Sequence, residues 1–407
     1  MHVLVLVIGL AFLAVVLLDA FQTIILPRRP VVRFRITRLF FIVTWNPWAR
    51  LIHALPSRRM REQFYSYYGP LSLLLLFGVW AISLLTAFAL IFFGLHLPFH
   101  DPAHPVTDLE RLRGSLYVSG STLFTLGLGD VVPATHLARF LVICEAGTGL
   151  GFIALVIGYV PVLYSAFSSR EIAVALLDAR AGSPPTAGEL LIRHHFQGGD
   201  DALTALLADW ERWCAGMLET HISYPILCYY RSQHDNQSWL SALTSVLDAC
   251  ALLITMIDGP AQRQAQLTFA IGRHVLVDLG HVFHREAVEQ HLRDSEPARL
   301  PPDEYMELAE LLKHSGLHLC GDLNMHYRLS ALRRLYEPHA CSLAMYLRLD
   351  LPRWVPPPRD SSRPDIWASV TRLRGPASGS GQDLDDLGSH VSRQATASHL
   401  GDDDTHI

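Results

Sequence analysis

Residues 115–133 read Ser115-Leu-Tyr-Val-Ser-Gly-Ser-Thr-Leu-Phe-Thr-Leu-Gly-Leu-Gly-Asp-Val-Val-Pro133. The run begins as a short apolar helix and continues as a Thr-Leu-Gly-Leu-Gly strip, which an acid and a proline follow. Gly127 and Gly129 can adopt positive φ angles that a residue with a side chain resists. Because they alternate with ordinary residues, successive carbonyls can point in one direction. We therefore expect neither a regular helix nor a regular strand at 125–129.

Two long apolar runs enclose this strip. They are Leu71–Leu97 and Phe140–Phe167, and the only charged residue in the second run is Glu145. Each run exceeds the roughly 20 residues that an α-helix needs to span a bilayer. Irregular backbone at membrane depth is tolerated only where protein or a wet cavity surrounds it. The sequence therefore predicts a re-entrant loop between two membrane helices.

The motif Thr122-x-x-Thr125-x-Gly127-x-Gly129-Asp130 resembles the selectivity-filter signature of the potassium-channel pore-domain family. The resemblance covers about residues 68–168. It implies stacked rings of oxygens that replace the water shell of a cation, contributed by four chains around one axis. Potassium ions would then be the only bound species that the pore requires. The filter residues that it implies are Thr125, Leu126, Gly127, Leu128, Gly129 and Asp130.

Leu128 departs from the family pattern, which usually has an aromatic residue between the two filter glycines. We therefore expect a preference for potassium over sodium, but a smaller one than a filter with tyrosine gives. A non-selective cation channel is the first alternative, and a non-conducting membrane scaffold with the same fold is another.

The inner apolar run contains further candidate functional residues. An acid inside a membrane helix is costly and is by default functional, so we expect Glu145 to brace the pore helix through Ser119, Ser121 or Thr122. A cation-attracting ring around the cavity is the second interpretation of Glu145. Gly149 matches the position of the family's gating hinge, and Gly158 and Pro161 follow it as further hinge candidates. Glycines also permit tight helix packing, and both interpretations stay open.

The arrangement of charges predicts the topology. Val3–Leu26 is a third apolar run, and nine arginines from Arg28 to Arg61 follow it with no acid before Glu62. Because positive residues stay cytoplasmic, we expect a multi-pass protein of the cell (inner) membrane with its N-terminus outside and its C-terminus in the cytosol. Leu39–Trp48 is too short to cross the membrane, so we expect a helix lying at the headgroups; a linker anchored by two tryptophans is the alternative.

The fold class expected is an all-α membrane protein with a cytosolic helical bundle. The expected divisions are a first membrane helix at 1–27, a basic linker at 28–68, a pore domain at 69–168, a cytosolic regulatory domain at 169–348 and a disordered tail at 349–407. Trp239–Ile257 is apolar, but Asp248 at its centre indicates a core helix of the bundle rather than a fourth crossing. The partners expected are lipid, monovalent cations and further copies of the chain, and no feature indicates nucleic acid.

Histidine and acid residues recur at helical spacing in the cytosolic part. One set is His274, Asp278, His281 and His284, and the other is Glu310, His314, His318, Asp322 and His326. Imidazole and carboxylate groups one turn apart suit zinc, so a divalent metal is a candidate regulatory ligand, with His274, His281, His314, His318 and Asp322 as its ligands. Two solvated polar faces are the alternative interpretation.

An enzyme is the remaining alternative. His194-His195, His234-Asp235 and Asp294 follow the order of ligands in metal-dependent phosphohydrolases, but their spacing is loose. We therefore expect no catalytic residues and no enzymatic activity.

Overall fold

The computed structural model describes residues 2–26, 35–101, 106–232, 237–293, 299–320 and 324–356. These residues form α-helices, one short 3-10 helix and one pair of two-residue strands, so the prediction of an all-α fold is confirmed. The membrane part contains α1 (His2–Ile24), α2 (Ile36–His53), α3 (Arg58–Gly94), β1 (Phe99–His100), α4 (Asp108–Leu123), β2 (Val132–Pro133) and α5 (His136–Ala181). The remainder contains α6 (Ala187–Arg193), α7 (Gly199–Ser223), the 3-10 helix Pro225–Tyr229, α8 (Trp239–Thr255), α9 (Gln262–Val282), α10 (Glu286–Arg293), α11 (Pro302–His314), α12 (Met325–Arg333) and α13 (Glu337–Leu347).

Three helices of the described residues, α1, α3 and α5, are long and apolar enough to cross a membrane. They coincide with the three runs that the sequence predicted as spans. The first of them packs along α3 at two glycines. Gly9 faces Ile91, and a Cβ on Gly94 would lie 2.6 Å from the backbone nitrogen of Leu6. Small residues let helices approach closely where lipid gives no hydrophobic incentive to associate.

A buried acid joins α1 to α2 and α3. One carboxylate oxygen of Asp19 accepts hydrogen bonds from Trp80 Nε1 at 2.9 Å and from the Thr37 backbone N–H and hydroxyl at 3.1 and 2.6 Å. Its other oxygen lies 3.5 Å from Arg35 Nε. The bond to the Thr37 N–H satisfies one of the free donors at the start of α2. Asp19 thus fixes the end of α1 against the next two helices.

The pore helix, α4, begins with a capping box. The Thr107 hydroxyl accepts from the Glu110 N–H, and the Glu110 carboxylate accepts from the Thr107 N–H. This reciprocal pair satisfies two donors that a helix start leaves unpaired. Beyond the filter strip, β2 pairs antiparallel with β1, which follows α3. The exit of the strip is therefore hydrogen-bonded to the end of the outer helix.

The inner helix, α5, continues without a break for 46 residues, through Gly158 and Pro161, to Ala181. Val174, Leu177 and Ala181 near its end enter the core of the helical bundle, which the sequence predicts to be cytosolic. The absence of proline and glycine between Tyr164 and Leu177 agrees with this continuity. The membrane part and the bundle therefore share one helix.

The segment predicted as a basic linker contains α2, which packs against the bundle, a contact that the sequence did not predict; a helix lying at the headgroups stays a prediction. Trp45 of α2 is 3% exposed and donates a hydrogen bond from Nε1 to the Tyr346 carbonyl oxygen at 3.0 Å. Its ring also contacts Tyr68 and Tyr229. One face of α2 is thus buried against the cytosolic domain. The opposite face exposes apolar side chains, namely Leu39, Ile42, Val43 and Leu51.

The cytosolic bundle is built around α8, whose residues are almost all buried. The Ser238 side chain caps this helix by accepting from the Ser241 N–H, as the sequence predicted. Asp248 is fully buried, receives a bidentate ion pair from Arg299 at 2.7 and 3.1 Å, and accepts a hydrogen bond from Tyr336. The interpretation of 239–257 as a core helix thus agrees with the structure, although α8 ends at Thr255.

Two other expectations for this part are corrected. The prediction of one helical face from Glu310 to His326 is wrong, because α11 ends at His314, Gly316 has a φ of 90° and α12 starts only at Met325. The predicted disordered tail also begins too early, since Trp354 is buried and its carbonyl accepts from the Gly188 N–H at 3.2 Å. Residues 357–407 and Asp322 lie outside the described residues.

The ion pair of Asp248 gives a testable expectation for stability. Arg299→Met should reduce the free energy of unfolding by about 3–5 kcal/mol, because it leaves a buried carboxylate without its cation. The double variant Asp248→Leu with Arg299→Met should recover much of this loss. Denaturant unfolding of the purified protein in detergent measures both. A single variant as stable as the unmodified protein would contradict the assigned role.

Candidate ion-conduction site

The strip after the pore helix alternates between two backbone conformations. Thr125, Gly127 and Gly129 have φ angles of 55°, 60° and 76°, in the left-handed region, and the leucines between them do not. Such an alternation allows successive carbonyls to point to the same side, which stays a prediction for this strip. The left-handed conformation of Thr125 was not predicted, since a residue with a side chain adopts it only at a cost.

The pore helix holds the start of the strip. The Leu126 N–H donates to the Ser121 carbonyl at 2.8 Å, and the Thr125 N–H donates to the Thr122 carbonyl at 3.0 Å. Ser121 and Thr122, which the sequence predicts as support residues, thus bind the strip through their backbone carbonyls. Leu126 and Leu128 are each 61% exposed in the single chain. The strip therefore has one side held by its own helix and another side that this chain alone does not cover.

The acid at the end of the strip is held by a residue that the sequence analysis missed. Tyr117, in the middle of the pore helix, donates a hydrogen bond from its hydroxyl to Asp130 Oδ2 at 2.7 Å. The bond spans the length of the strip on the outer side. The signal for it in the sequence was weak, because Tyr117 is one aromatic residue in an apolar helix.

The acid of the inner helix lies against the pore helix. Glu145 is fully buried, and its Oε1 forms a short hydrogen bond with the Ser119 hydroxyl. The Ser119 hydroxyl also contacts the Leu85 carbonyl oxygen of α3 at 2.9 Å. Of the three hydroxyls that the sequence offered as partners, the structure thus brings Ser119 to Glu145. The position is buried, so Glu145 does not line a cavity within this chain.

The hinge candidates differ in their surroundings. Gly149 is buried, and a Cβ at this position would collide with the Leu123 carbonyl oxygen at the end of the pore helix. Gly158 has nothing within contact distance of an added Cβ, and Pro161 is exposed within a continuous helix. Gly149 therefore allows the inner helix and the pore helix to approach closely. A hinge at any of these positions stays a prediction.

The predicted metal ligands do not come together in the described part of the chain. No three His, Cys, Asp or Glu side chains of the described residues lie close enough to hold a metal ion. His274 pairs with Asp278 at 3.2 Å, while His281 and His318 are exposed and His314 bonds to the Glu310 carbonyl. Asp322, His234, Asp235 and Asp294 lie outside the described residues. His194 is buried, which lowers its pKa, and its Nδ1 bonds to the Leu190 carbonyl.

The contact at Gly149 gives a prediction with a matched control. Gly149→Ala should destabilise the folded protein and reduce ion flux, because the methyl group collides with the Leu123 carbonyl. Gly151→Ala, whose added Cβ meets nothing within 4 Å, should be neutral or stabilise the helix by about 0.5–1 kcal/mol. Thermal unfolding of the two purified variants in detergent distinguishes them. Equal melting temperatures would show that the close approach is not required.

Comparison with known proteins agrees with this geometry. Residues 79–165 match a family model described as ion channel. YdjJ of Bacillus subtilis (strain 168), an uncharacterized membrane protein, is 28% identical over 203 residues, which are 48% of this chain and 55% of that protein. The chain thus spans about half the length of this relative. No solved structure gives a significant match. Residues 79–165, which hold α4 and the strip, are thus similar to a family of ion channels, and this match supports the resemblance to the potassium-channel pore-domain family.

Proposed function

We propose that this protein is a tetrameric cation channel and that it prefers potassium over sodium. We also propose that its cytosolic bundle opens and closes the channel. The observation that carries the proposal is the alternation of left-handed residues at Thr125, Gly127 and Gly129 between a pore helix and an inner helix. Carbonyls turned to one side are the ligands that replace the hydration shell of a monovalent cation. The Thr125 hydroxyl would add the innermost ring.

The pore helix supports this function electrostatically. The C-terminal end of α4 at Leu123 leads directly into the strip. The aligned peptide dipoles of a helix place about half a negative charge at that end. A cation beside Thr125 would therefore be stabilised before it enters the filter. Asp130, held by Tyr117, would provide a carboxylate at the opposite end of the strip.

The exposed side of the strip supports an assembly of four chains. One chain contributes one carbonyl to each ring, and Leu126 and Leu128 have no cover within it. Closed rotational symmetry would provide both the missing ligands and the missing cover. We place the assembly in the cell (inner) membrane with the N-terminus outside, because Arg35, Arg38 and Arg50 lie between the first two spanning helices, α1 and α3, and positive residues stay cytoplasmic.

The junction below α5 supports gating by the bundle. Arg170, near the cytosolic end of this helix, is buried and donates to the Leu227 and Tyr230 carbonyls at 2.8 and 2.9 Å. Trp213 of α7 donates from Nε1 to the Arg170 carbonyl at 3.3 Å. Burial and, to a smaller degree, the charge of Arg170 hold the pKa of His221 well below its usual value, so this neighbour stays neutral. A movement of the bundle would thus reach the inner helix directly.

Ion flux tests the proposed function. Purified protein in proteoliposomes should carry potassium faster than sodium, and Gly127→Ala should abolish flux because a Cβ disfavours a φ of 60°. Gly151→Ala, in open space on α5, is the matched control and should conduct. Equal sodium and potassium flux would favour a non-selective channel, whose cause we would seek at Leu128. No flux of either ion would favour a scaffold.

The assembly has its own test. The mass of the detergent-solubilised protein, determined by light scattering with the detergent contribution subtracted, should correspond to four chains. A homogeneous monomer or dimer would contradict the proposal, since neither closes a ring of ligands.

A further inference from the structure

The Ser119 hydroxyl lies beside two acceptor oxygens but has only one hydrogen to donate. Its hydroxyl oxygen lies 2.9 Å from the Leu85 carbonyl oxygen and forms a short hydrogen bond with Glu145 Oε1. A serine hydroxyl has one hydrogen to donate. If Glu145 were a carboxylate, the hydroxyl could serve only one of these oxygens, and it would face the other without a proton between them.

A protonated Glu145 resolves both contacts. Its carboxylic acid then donates to the Ser119 oxygen, and the Ser119 hydroxyl donates to the Leu85 carbonyl. One hydrogen then lies between Glu145 and Ser119, and another lies between Ser119 and the Leu85 carbonyl. The second oxygen of Glu145 is buried and has no hydrogen-bond partner in the described residues. A neutral carbonyl oxygen tolerates this position far better than half of a carboxylate charge.

The surroundings of Glu145 contain no compensating charge. The outer helix α3 presents the Leu85 carbonyl, and the pore helix α4 presents the Ser119 hydroxyl, which is also fully buried. Neither carboxyl oxygen of Glu145 forms a hydrogen bond or an ion pair with a charged side chain of the described residues. An isolated carboxylate would therefore lie inside the membrane part with neither a cation nor a complete set of donors.

Asp19 shows the opposite arrangement in the same fold. One of its oxygens accepts hydrogen bonds from the Trp80 indole N–H and from the backbone N–H and hydroxyl of Thr37. Its other oxygen, like Oε2 of Glu145, has no hydrogen-bond partner in the described residues, but it lies 3.5 Å from the Arg35 guanidinium. Asp19 and Glu145 thus occupy sites with opposite requirements. The carboxyl group of Asp19 needs to accept hydrogen bonds, whereas that of Glu145 needs to donate one.

We propose that Glu145 is a neutral carboxylic acid whose hydrogen bond to Ser119, relayed from Ser119 to the Leu85 carbonyl, fixes the pore helix to both membrane helices of the pore domain, and that loss of its proton releases the pore helix. Glu145 is thus a positioning residue and the channel is sensitive to alkaline pH. The effect on conduction rests on the proposed function, whereas the state of the acid does not.

Infrared difference spectroscopy tests the state of the acid without reference to ion flux. The spectrum of the full-length protein minus that of Glu145→Gln, in detergent at neutral pH, should show the carbonyl band of a protonated carboxylic acid. Ser119→Ala should shift this band to higher wavenumber, because the acid loses its acceptor. Asp19→Asn is the matched control and should leave the band in place. Absence of the band would overturn the proposal, even if the protein conducts.

The pH profile of potassium flux tests the consequence. Flux through the unmodified channel, normalised to its value at neutral pH, should fall several-fold as the pH rises into the alkaline range. An ionised Glu145 would take the Ser119 hydrogen away from Leu85 and leave a buried charge. Glu145→Gln, whose amide can donate to Ser119 at every pH, should give a flat profile. Parallel profiles for the two proteins would overturn the switch, and a channel without any flux would leave the infrared result to decide on the acid.

Discussion

Carbonyl oxygens that face a pore axis have no partner in their own segment, and lipid offers none. If the strip at 125–129 lines a pore, as we propose, it therefore requires protein on every side that ions do not occupy. Within the chain, the pore helix holds its start through Leu126 and Thr125, and the pairing of β1 with β2 holds its exit. The inner helix approaches the end of the pore helix so closely that only a glycine fits at position 149. The architecture of the membrane part follows from this requirement.

Buried acids connect helices both in the membrane part and in the bundle. Asp19 joins three helices, Glu145 joins the inner helix to the pore helix, and Asp248 joins α8 to Arg299 and Tyr336. An apolar side chain at any of these positions would also pack, but it would not fix the orientation of the helices relative to each other. A buried polar group that must find its partner allows fewer alternative packings, which is the best-attested use of such groups.

Much of the membrane part could be predicted, because its signals are local. The lengths of the three apolar runs and the glycines at 127 and 129 depend on residues close in sequence. The position of α2 could not be predicted in this way, since the partner of Trp45 is Tyr346, three hundred residues later. The same tryptophan, next to arginines, is typical of a membrane interface. The prediction of one histidine-bearing helical face after Glu310 was wrong for a local reason. The helical spacing of histidines continues in the sequence, but the helix ends before Gly316.

The 46-residue inner helix is about 69 Å long at 1.5 Å per residue, roughly twice the thickness of the hydrocarbon core. Near the end of its membrane part, this helix is held by the 3-10 helix Pro225–Tyr229 and the residue after it. Arg170 of the inner helix binds the carbonyls of this turn, while Leu227 packs with Leu73 of the outer helix and Tyr230 lies against Gly69. The outer helix α3 and the inner helix α5 therefore both contact the segment 225–230. In the proposed channel, a movement of the bundle would therefore reach the inner and the outer helix at the same place.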